Sequence, residues 1–360
     1  MRQKDGGLFA RKGLVSDRPC GKVAGRNRSM PKTVISHGKF PLKKVLLNAF
    51  LLGVLSIGAA HGQIFVTGDG FTANSGTVSE YNFDGTMVNA SLISGLDSPI
   101  GIAISGSDLF VVNEGHGTSS GMGDGTIGKY NIDGTTVNAA LISGLNVSGG
   151  IALSGSHIFV GDGGAIGEYN FDGTVVNASL IPGLTKRNDG LSNGALSIAI
   201  SGSNLFVADN GGTIGEYNID GTTVNASLIS GLPGPPIGLA VSGSDLFVSC
   251  SLSQTSSVME YTTSGTLVNA SLVSGVTAVA GIALDGTNLF VVNENVHGSD
   301  PNGSIGEYTT SGDIVNTNLV SGIAPFAIAV VPEPSQTVML LLGLGLLAFW
   351  RLRMRREQRI

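Results

Sequence analysis

The chain has 360 residues, of which 55 are glycine, and its formal net charge at pH 7 is −6. The charge is uneven, because residues 63–331 contain 22 acidic and three basic side chains, a net charge of −19. Such a surface repels phosphate backbones, which argues against a nucleic-acid partner. Residues 63–331 contain a single cysteine, Cys250, which excludes an internal disulfide framework there.

The chain starts with a segment that is typical of a leader. Residues 1–29 are basic and unpatterned, and Met30 could serve as the start, so we interpret them as a start-site artefact or a disordered basic leader. Two lysines, the apolar run Val45–Ala60 and small residues up to Gly62 then predict a secretory signal peptide over residues 30–62. We expect a signal helix with cleavage after Gly62. The alternative is an uncleaved membrane anchor.

One sequence motif occurs six times between residues 63 and 331. With substitutions between copies, the repeat contains a Phe-Val strand, a loop, an Ile-Gly-Glu-Tyr strand, an Asp-Gly or Ser-Gly turn, a Val-Asn-Ala-Ser-Leu-Ile strand and a Gly-Ile-Ala strand. The anchor phenylalanines are 41–49 residues apart: Phe65, Phe110, Phe159, Phe206, Phe247 and Phe290. A period of 40–50 residues with four short strands is typical of a propeller blade. The Gly-Ile-Ala and Phe-Val strands, the first two of a blade, are short apolar runs, whereas the third and fourth strands alternate in sequence, which predicts half-buried strands.

The ends of the array predict a closed ring. The first copy lacks its first strand, whereas the last copy is followed by an extra strand at residues 326–331. If this strand completes the first blade, no sheet edge stays open there. We therefore predict an all-β, six-bladed propeller of four-stranded antiparallel blades over residues 63–331.

Two kinds of repeated residue are predicted to serve the fold. The tyrosines should fill the gaps between neighbouring blades, since one occurs in every copy: Tyr81, Tyr130, Tyr169, Tyr217, Tyr261 and Tyr308. The Asp-Gly dipeptides predict tight hairpin turns. The pattern Leu205-Phe206-Val207-Ala208-Asp209 after a Gly-x-Ala strand resembles NHL-type six-bladed propellers, and this resemblance implies the fold without implying an activity.

The C-terminal segment has three parts. Pro332-Glu333-Pro334 precedes an apolar run, Val338–Trp350, and an arginine cluster follows: Arg351, Arg353, Arg355 and Arg356. Residues 332–356 resemble the PEP-CTERM sorting signal of Gram-negative bacteria. The resemblance implies recognition by an exosortase-type membrane protease, temporary anchoring in the inner membrane by a hydrophobic transmembrane helix, and delivery to the cell surface or the extracellular (biofilm) matrix.

The physical properties of this segment agree with that interpretation. Thirteen apolar residues are short for a membrane span, but snorkelling arginines extend its reach, and their charge predicts a cytoplasmic C-terminus. An ordinary tail anchor is the alternative.

Oxygen-bearing side chains follow the second strand of several copies: Asn113, Glu114, Asp162, Asp209 and Asn293. If they converge at one mouth of the central channel, they could hold Ca²⁺, the one cofactor that the sequence suggests. The alternative is that these side chains cap turns and loops. A ring of five glutamates and Lys129, each before a repeat tyrosine, is predicted to be structural or solvated.

Three longer loops break the repeat and are predicted to carry specificity. They contain our candidate binding residues, His116, Lys186, Arg187, His297 and Asp300. The leading interpretation is a non-enzymatic module that binds a polysaccharide or a surface protein, since equivalent repeated sites add avidity. The alternative is a metal-dependent hydrolase or lactonase of the gluconolactonase-like propeller type, although no catalytic residue set is evident.

Overall fold

The computed structural model describes residues 62–68, 74–115, 124–184, 195–250, 256–294, 302–332 and 351. In these ranges the chain forms 24 β-strands, arranged as six antiparallel four-stranded sheets. The all-β prediction with six four-stranded blades is therefore confirmed.

The blades follow one another along the chain, and within each blade the four strands run in order from the inner to the outer position. Blade 1 combines β24 (Pro325–Val331) with β1 (Gln63–Gly68), β2 (Gly76–Asn82) and β3 (Met87–Leu96). Blade 2 contains β4 (Pro99–Ser105), β5 (Asp108–Asn113), β6 (Gly125–Asn131) and β7 (Thr136–Leu145). Blade 3 contains β8 (Val147–Ser154), β9 (His157–Asp162), β10 (Ala165–Asn170) and β11 (Val175–Ile181).

The remaining three blades repeat this order. Blade 4 contains β12 (Ala195–Ser201), β13 (Asn204–Asp209), β14 (Thr213–Asn218) and β15 (Thr223–Ile229). Blade 5 contains β16 (Pro236–Ser242), β17 (Asp245–Cys250), β18 (Ser256–Thr262) and β19 (Leu267–Val276). Blade 6 contains β20 (Val279–Asp285), β21 (Asn288–Asn293), β22 (Gly303–Thr309) and β23 (Ile314–Ile323).

The Asp-Gly turns join the third and fourth strands of blades 1 to 4. In blade 4, Gly221 has a φ of +84°, which a side chain would disfavour. Asp220 accepts hydrogen bonds from the backbone N–H and the hydroxyl of Thr222 at 2.9 and 2.7 Å. These bonds hold the pKa of the Asp220 carboxyl below its usual range. The glycine at positive φ and the hydrogen bonds between Asp220 and Thr222 therefore define the hairpin that the sequence predicted.

The core consists of six clusters, one between each pair of neighbouring blades. The six anchor phenylalanines are fully buried. Each repeat tyrosine packs into the cluster that its blade shares with the preceding blade. Tyr217 of blade 4, for example, lies with Phe159 and Ile166 of blade 3. The predicted role of the tyrosines as fillers between blades is confirmed.

The C-terminal strand β24 lies beside β1. Gln63 is opposite Val331 and Phe65 is opposite Ala329, with a register shift after Val66. At that shift, the backbone N–H of Ala327 donates to the hydroxyl of Thr67 at 2.9 Å. β24 thus takes the inner position of blade 1.

The fourth strands do not alternate as the sequence pattern predicts. In β15, the five residues from Thr223 to Ser227 are all exposed, and burial begins only towards Ile229. β3, β7, β11 and β23 also begin with five exposed residues. The prediction of a half-buried, alternating fourth strand was wrong for this half of the strand.

Candidate functional site

The outer rim of the propeller exposes aliphatic side chains in every blade. We define the rim rows as the first two residues of β3, β7, β11, β15, β19 and β23. Their apolar members are 46–68% exposed: Met87, Val88, Val137, Val175, Val176, Val224, Leu267, Val268, Ile314 and Val315. This repeated exposure was missed by sequence reasoning, because a Val-x-Ala-x-Leu run looks like an ordinary half-buried strand.

An asparagine turn lies beside these exposed residues in every blade. In blade 4, Asn225 Oδ1 accepts a hydrogen bond from the backbone N–H of Ser227 at 3.1 Å. The corresponding bond occurs in all six blades at 3.0–3.1 Å. The pairing register between β14 and β15 shifts at the same place. Such a register shift is typical of a β-bulge, and the residues on both sides of Asn225 are exposed. The asparagine that follows each valine could have signalled the turn.

The side chains that line the central channel are mostly aliphatic. Its cavity has a volume of about 300 Å³ and is lined by the inner strands of the blades. One ring of its lining consists of aliphatic side chains: Ile102, Ile151, Ile198, Leu239, Ile282 and Ile328. Glu114 is the one acidic residue among the described residues of the lining. The chemistry of these residues suits a packed core better than a cluster of metal ligands.

Three of the five predicted metal ligands hold loops, either in the connection that enters their blade or in a hairpin within it. Asp162 Oδ1 accepts from the backbone N–H of Asn146 at 2.7 Å. Asp209 Oδ1 accepts from the N–H of Gly211 at 2.8 Å, and Asn293 Oδ1 accepts from the N–H of Thr277 at 3.2 Å. These bonds match the alternative in which Asp and Asn cap loops.

The other two members of the set line separate cavities. Glu114 lines the central channel, whereas Asn113 lines a cavity between blades 1 and 2. Among the described residues, no group of three or more His, Cys, Asp or Glu side chains is arranged to hold a metal ion. A shared five-residue Ca²⁺ site at the channel mouth thus stays a prediction.

The charged ring before the repeat tyrosines forms cross-strand polar contacts. Asn204 Nδ2 donates to Glu216 Oε1 at 2.8 Å in blade 4, and Lys129 lies 2.8 Å from Asp108 in blade 2. In blade 5 the corresponding residues are both acidic. Burial and, secondly, the charge of Asp245 raise the pKa of Glu260. The residues of this ring therefore contact neighbouring strands within their blades, and in blade 5 the pair Asp245 and Glu260 is unfavourable because both side chains are acidic.

The loop candidates His116, Lys186, Arg187, His297 and Asp300 lie outside the described residues, as does the predicted signal helix. In the sorting segment, only Pro332 and Arg351 are described; Glu333, Pro334, Arg353, Arg355 and Arg356 are not. Within the described part of the chain, no helix is long and apolar enough to cross a membrane. The predicted hydrophobic helix at Val338–Trp350 lies outside that part.

Comparison with protein-family models matches residues 330–356 to the PEP-CTERM protein-sorting motif. The predicted sorting signal is therefore confirmed, and it implies export and exosortase processing. No curated protein sequence matches the chain. The matched motif begins at Val330, so it overlaps the last two residues of β24.

Solved structures resemble this chain in fold. TolB from Acinetobacter baumannii is 15% identical, with a TM-score of 0.53 over 80% of this chain and 71% of that one. A chain of a nidogen/laminin complex is 17% identical, with a TM-score of 0.52 over 76% and 99% of the two chains. A gluconolactonase from Xanthomonas campestris is 17% identical over 60% and 75% of the chains, but its TM-score of 0.47 is too low to support an argument. The chain therefore combines a six-bladed propeller with a PEP-CTERM sorting motif.

Proposed function

We propose that the protein is exported from a Gram-negative bacterium, processed at its sorting signal, and retained at the cell surface or in the extracellular matrix as a non-enzymatic binding module. The observation that carries this proposal is the PEP-CTERM motif at residues 330–356. Before processing, the C-terminal segment would hold the chain in the inner membrane, where an exosortase-type protease is its partner.

The position of the motif suits such processing. The last propeller strand ends at Val331, and the Pro-Glu-Pro motif begins at the next residue. Cleavage beyond Pro332 would therefore remove the tail and leave all 24 strands in place. We infer that β24 closes the ring, because it pairs with β1 and packs with the core between blades 6 and 1.

The rim rows support a binding role. Exposed aliphatic side chains are usually scattered on a soluble surface, whereas in this chain they recur in every blade. Six similar rows on one ring would bind a partner with repeated sites through avidity, even where each contact is weak. The apolar character of the rows favours a surface protein over a polysaccharide as the partner.

The hydrolase alternative receives less support from the described residues. A metal-dependent hydrolase would place oxygen or nitrogen ligands in the channel. The described lining side chains are instead apolar apart from Glu114 and Ser197. We therefore base no reaction on this channel.

Cell fractionation tests the proposal. The chain is expressed in a Gram-negative host that has an exosortase, alongside a variant in which Arg351, Arg353, Arg355 and Arg356 are replaced by glutamine. We expect the wild-type chain to lose its tail and to appear at the surface or in the matrix, where it binds surface material without turning over lactones. The variant should stay unprocessed in the membrane fraction. Equal processing of both chains, or a wild-type chain that stays inside the cell, would contradict the proposal.

A further inference from the structure

A cavity between blades 1 and 2 is lined by oxygen-bearing side chains. It has a volume of about 200 Å³, and its lining includes Asp97, Asn113, Asp124, Thr126 and Tyr130. Such a volume corresponds to roughly six water molecules. No basic residue is present among the described residues of the lining, so the cavity is suited to a cation.

Asn113 provides the second observation that points to a ligand. Its side chain is buried, with 6% of its surface exposed. Its Nδ2 donates to the hydroxyl of Thr126 at 3.3 Å, but its Oδ1 is buried and has no hydrogen-bond partner among the described residues. A buried carbonyl oxygen without a partner is costly and unusual in a native fold. An oxygen ligand to a cation would satisfy it.

The other blades show which donor this oxygen lacks. In blades 3 and 6, the equivalent side-chain oxygens, of Asp162 and Asn293, accept hydrogen bonds from the connection that enters the blade. In blade 2 that connection is Asp97-Ser98. Ser98 has a φ of +54°, which is rare for a residue other than glycine, and its backbone N–H does not donate to Asn113 Oδ1. The oxygen of Asn113, a residue that lines the cavity, therefore receives no donor from this connection.

The two aspartates lie on either side of one residue, Gly115. The backbone N–H of Gly115 donates to the carbonyl oxygen of Asp97 at 3.1 Å. A Cβ atom added at Gly115 would lie 2.9 Å from the carboxyl carbon of Asp124, so this carboxylate packs against Gly115. Because both acids also line the cavity with Asn113, they supply two negative charges beside a neutral amide oxygen.

We propose that this cavity is a Ca²⁺ site held by Asn113, Asp97 and Asp124. A hard divalent cation prefers carboxylate, amide and water oxygens, and Ca²⁺ tolerates irregular geometry. The two carboxylates would balance its charge, and water would complete its coordination. The site joins blade 1 to blade 2 and shares only Asn113 with the five-residue set predicted at the channel mouth.

Calcium binding by the full-length chain in mild detergent tests the site. Equilibrium dialysis should find a bound Ca²⁺ ion in the wild type, and the Ca²⁺ affinity should be at least tenfold lower in Asn113→Ala and in Asp124→Asn. Tb³⁺ offers a spectroscopic probe, because Tyr130 lines the same cavity and would sensitise its luminescence. Tyr130→Phe should reduce this luminescence while leaving Ca²⁺ affinity within about threefold of wild type.

Asn225→Ala is the matched control. Asn225 caps a turn by accepting from the N–H of Ser227, so its loss should lower the melting temperature with or without chelator while Ca²⁺ affinity stays unchanged. Asn113→Ala removes the oxygen without a partner together with the Nδ2 donor to Thr126, so its diagnostic effect is loss of the Ca²⁺-dependent rise in melting temperature, a rise that the control should keep. Absence of bound Ca²⁺ in the wild type, or equal affinity in wild type and Asn113→Ala, would overturn the proposal.

Discussion

The turn glycines make close contacts between blades, which can be tested by adding one methyl group. Gly221 of blade 4 has a φ of +84°, and a Cβ atom there would lie 2.6 Å from the carbonyl oxygen of Leu180 in blade 3. Gly202 of the same blade has a φ of +58°, but a Cβ atom there would meet nothing within 4 Å. Gly202→Ala is therefore a matched control for backbone strain without the blade contact.

The two substitutions should differ in cost. A non-glycine residue in the left-handed region costs roughly 1–2 kcal/mol, and both variants incur this cost. Gly221→Ala also overpacks against a backbone carbonyl, which adds about 1–3 kcal/mol. We therefore expect Gly221→Ala to lower the free energy of unfolding by about 1–3 kcal/mol more than Gly202→Ala does.

Urea unfolding of the purified chain, followed by circular dichroism, measures this difference. The slope of free energy against urea should be unchanged if both variants unfold as the wild type does. Equal losses of stability in the two variants would refute the idea that the turn glycine is part of the blade interface. The same contact occurs at Gly85, which faces Leu319 O of blade 6, so Gly85→Ala extends the test to the junction of the first and last blades.

Three further predictions concern blade 5 and the ring. Burial and then Asp245 raise the folded-state pKa of Glu260, so the folded protein should lose stability as the pH rises through that pKa. Asp245→Asn should therefore raise the free energy of unfolding by about 0.5 kcal/mol at pH 7 and by less at pH 4, as measured by urea unfolding. Burial raises the pKa of the Cys250 thiol to about 11, so in a Cys20→Ser chain a maleimide should label it at pH 7 only after unfolding. A chain that ends at residue 324 lacks β24 and should lose its cooperative melting transition.

Each of these predictions has an outcome that contradicts it. An Asp245→Asn chain with unchanged stability at both pH values would show that the acidic pair has no cost. Rapid labelling of native Cys250 would contradict its burial. A chain without β24 that melts as the full-length chain does would show that this strand does not close the ring.

Much of the fold could be predicted from the sequence because each repeat contains the local signals for its own turns and strands. The Asp-Gly turn at Asp220 sets one hairpin, and Phe206 and Tyr217 recur at positions where only a buried face accommodates them. These signals are local and occur in nearly every copy, so the strand number and the blade number followed from counting them.

The site features could not be predicted in the same way, because they depend on small differences between equivalent positions. Asn113 and Asn293 occupy the same place in the repeat, yet only Asn293 finds donors in the incoming connection. The difference accompanies the backbone of Ser98, whose positive φ has no signal in the sequence. Similarly, Val224 lies beside the turn at Asn225 and is exposed, although the alternating strand pattern predicts a half-buried strand.

The most direct test of the proposed function is the affinity of the chain for the outer-surface fraction of the producing cells as rim rows are removed. The valines Val88, Val137, Val176, Val224, Val268 and Val315 are replaced by threonine in one, three and then all six blades, with the melting temperature as a check on folding. We predict that affinity falls stepwise, with a loss of at least tenfold after all six changes. An affinity that stays at the wild-type value in the folded six-blade variant would contradict binding through the rim.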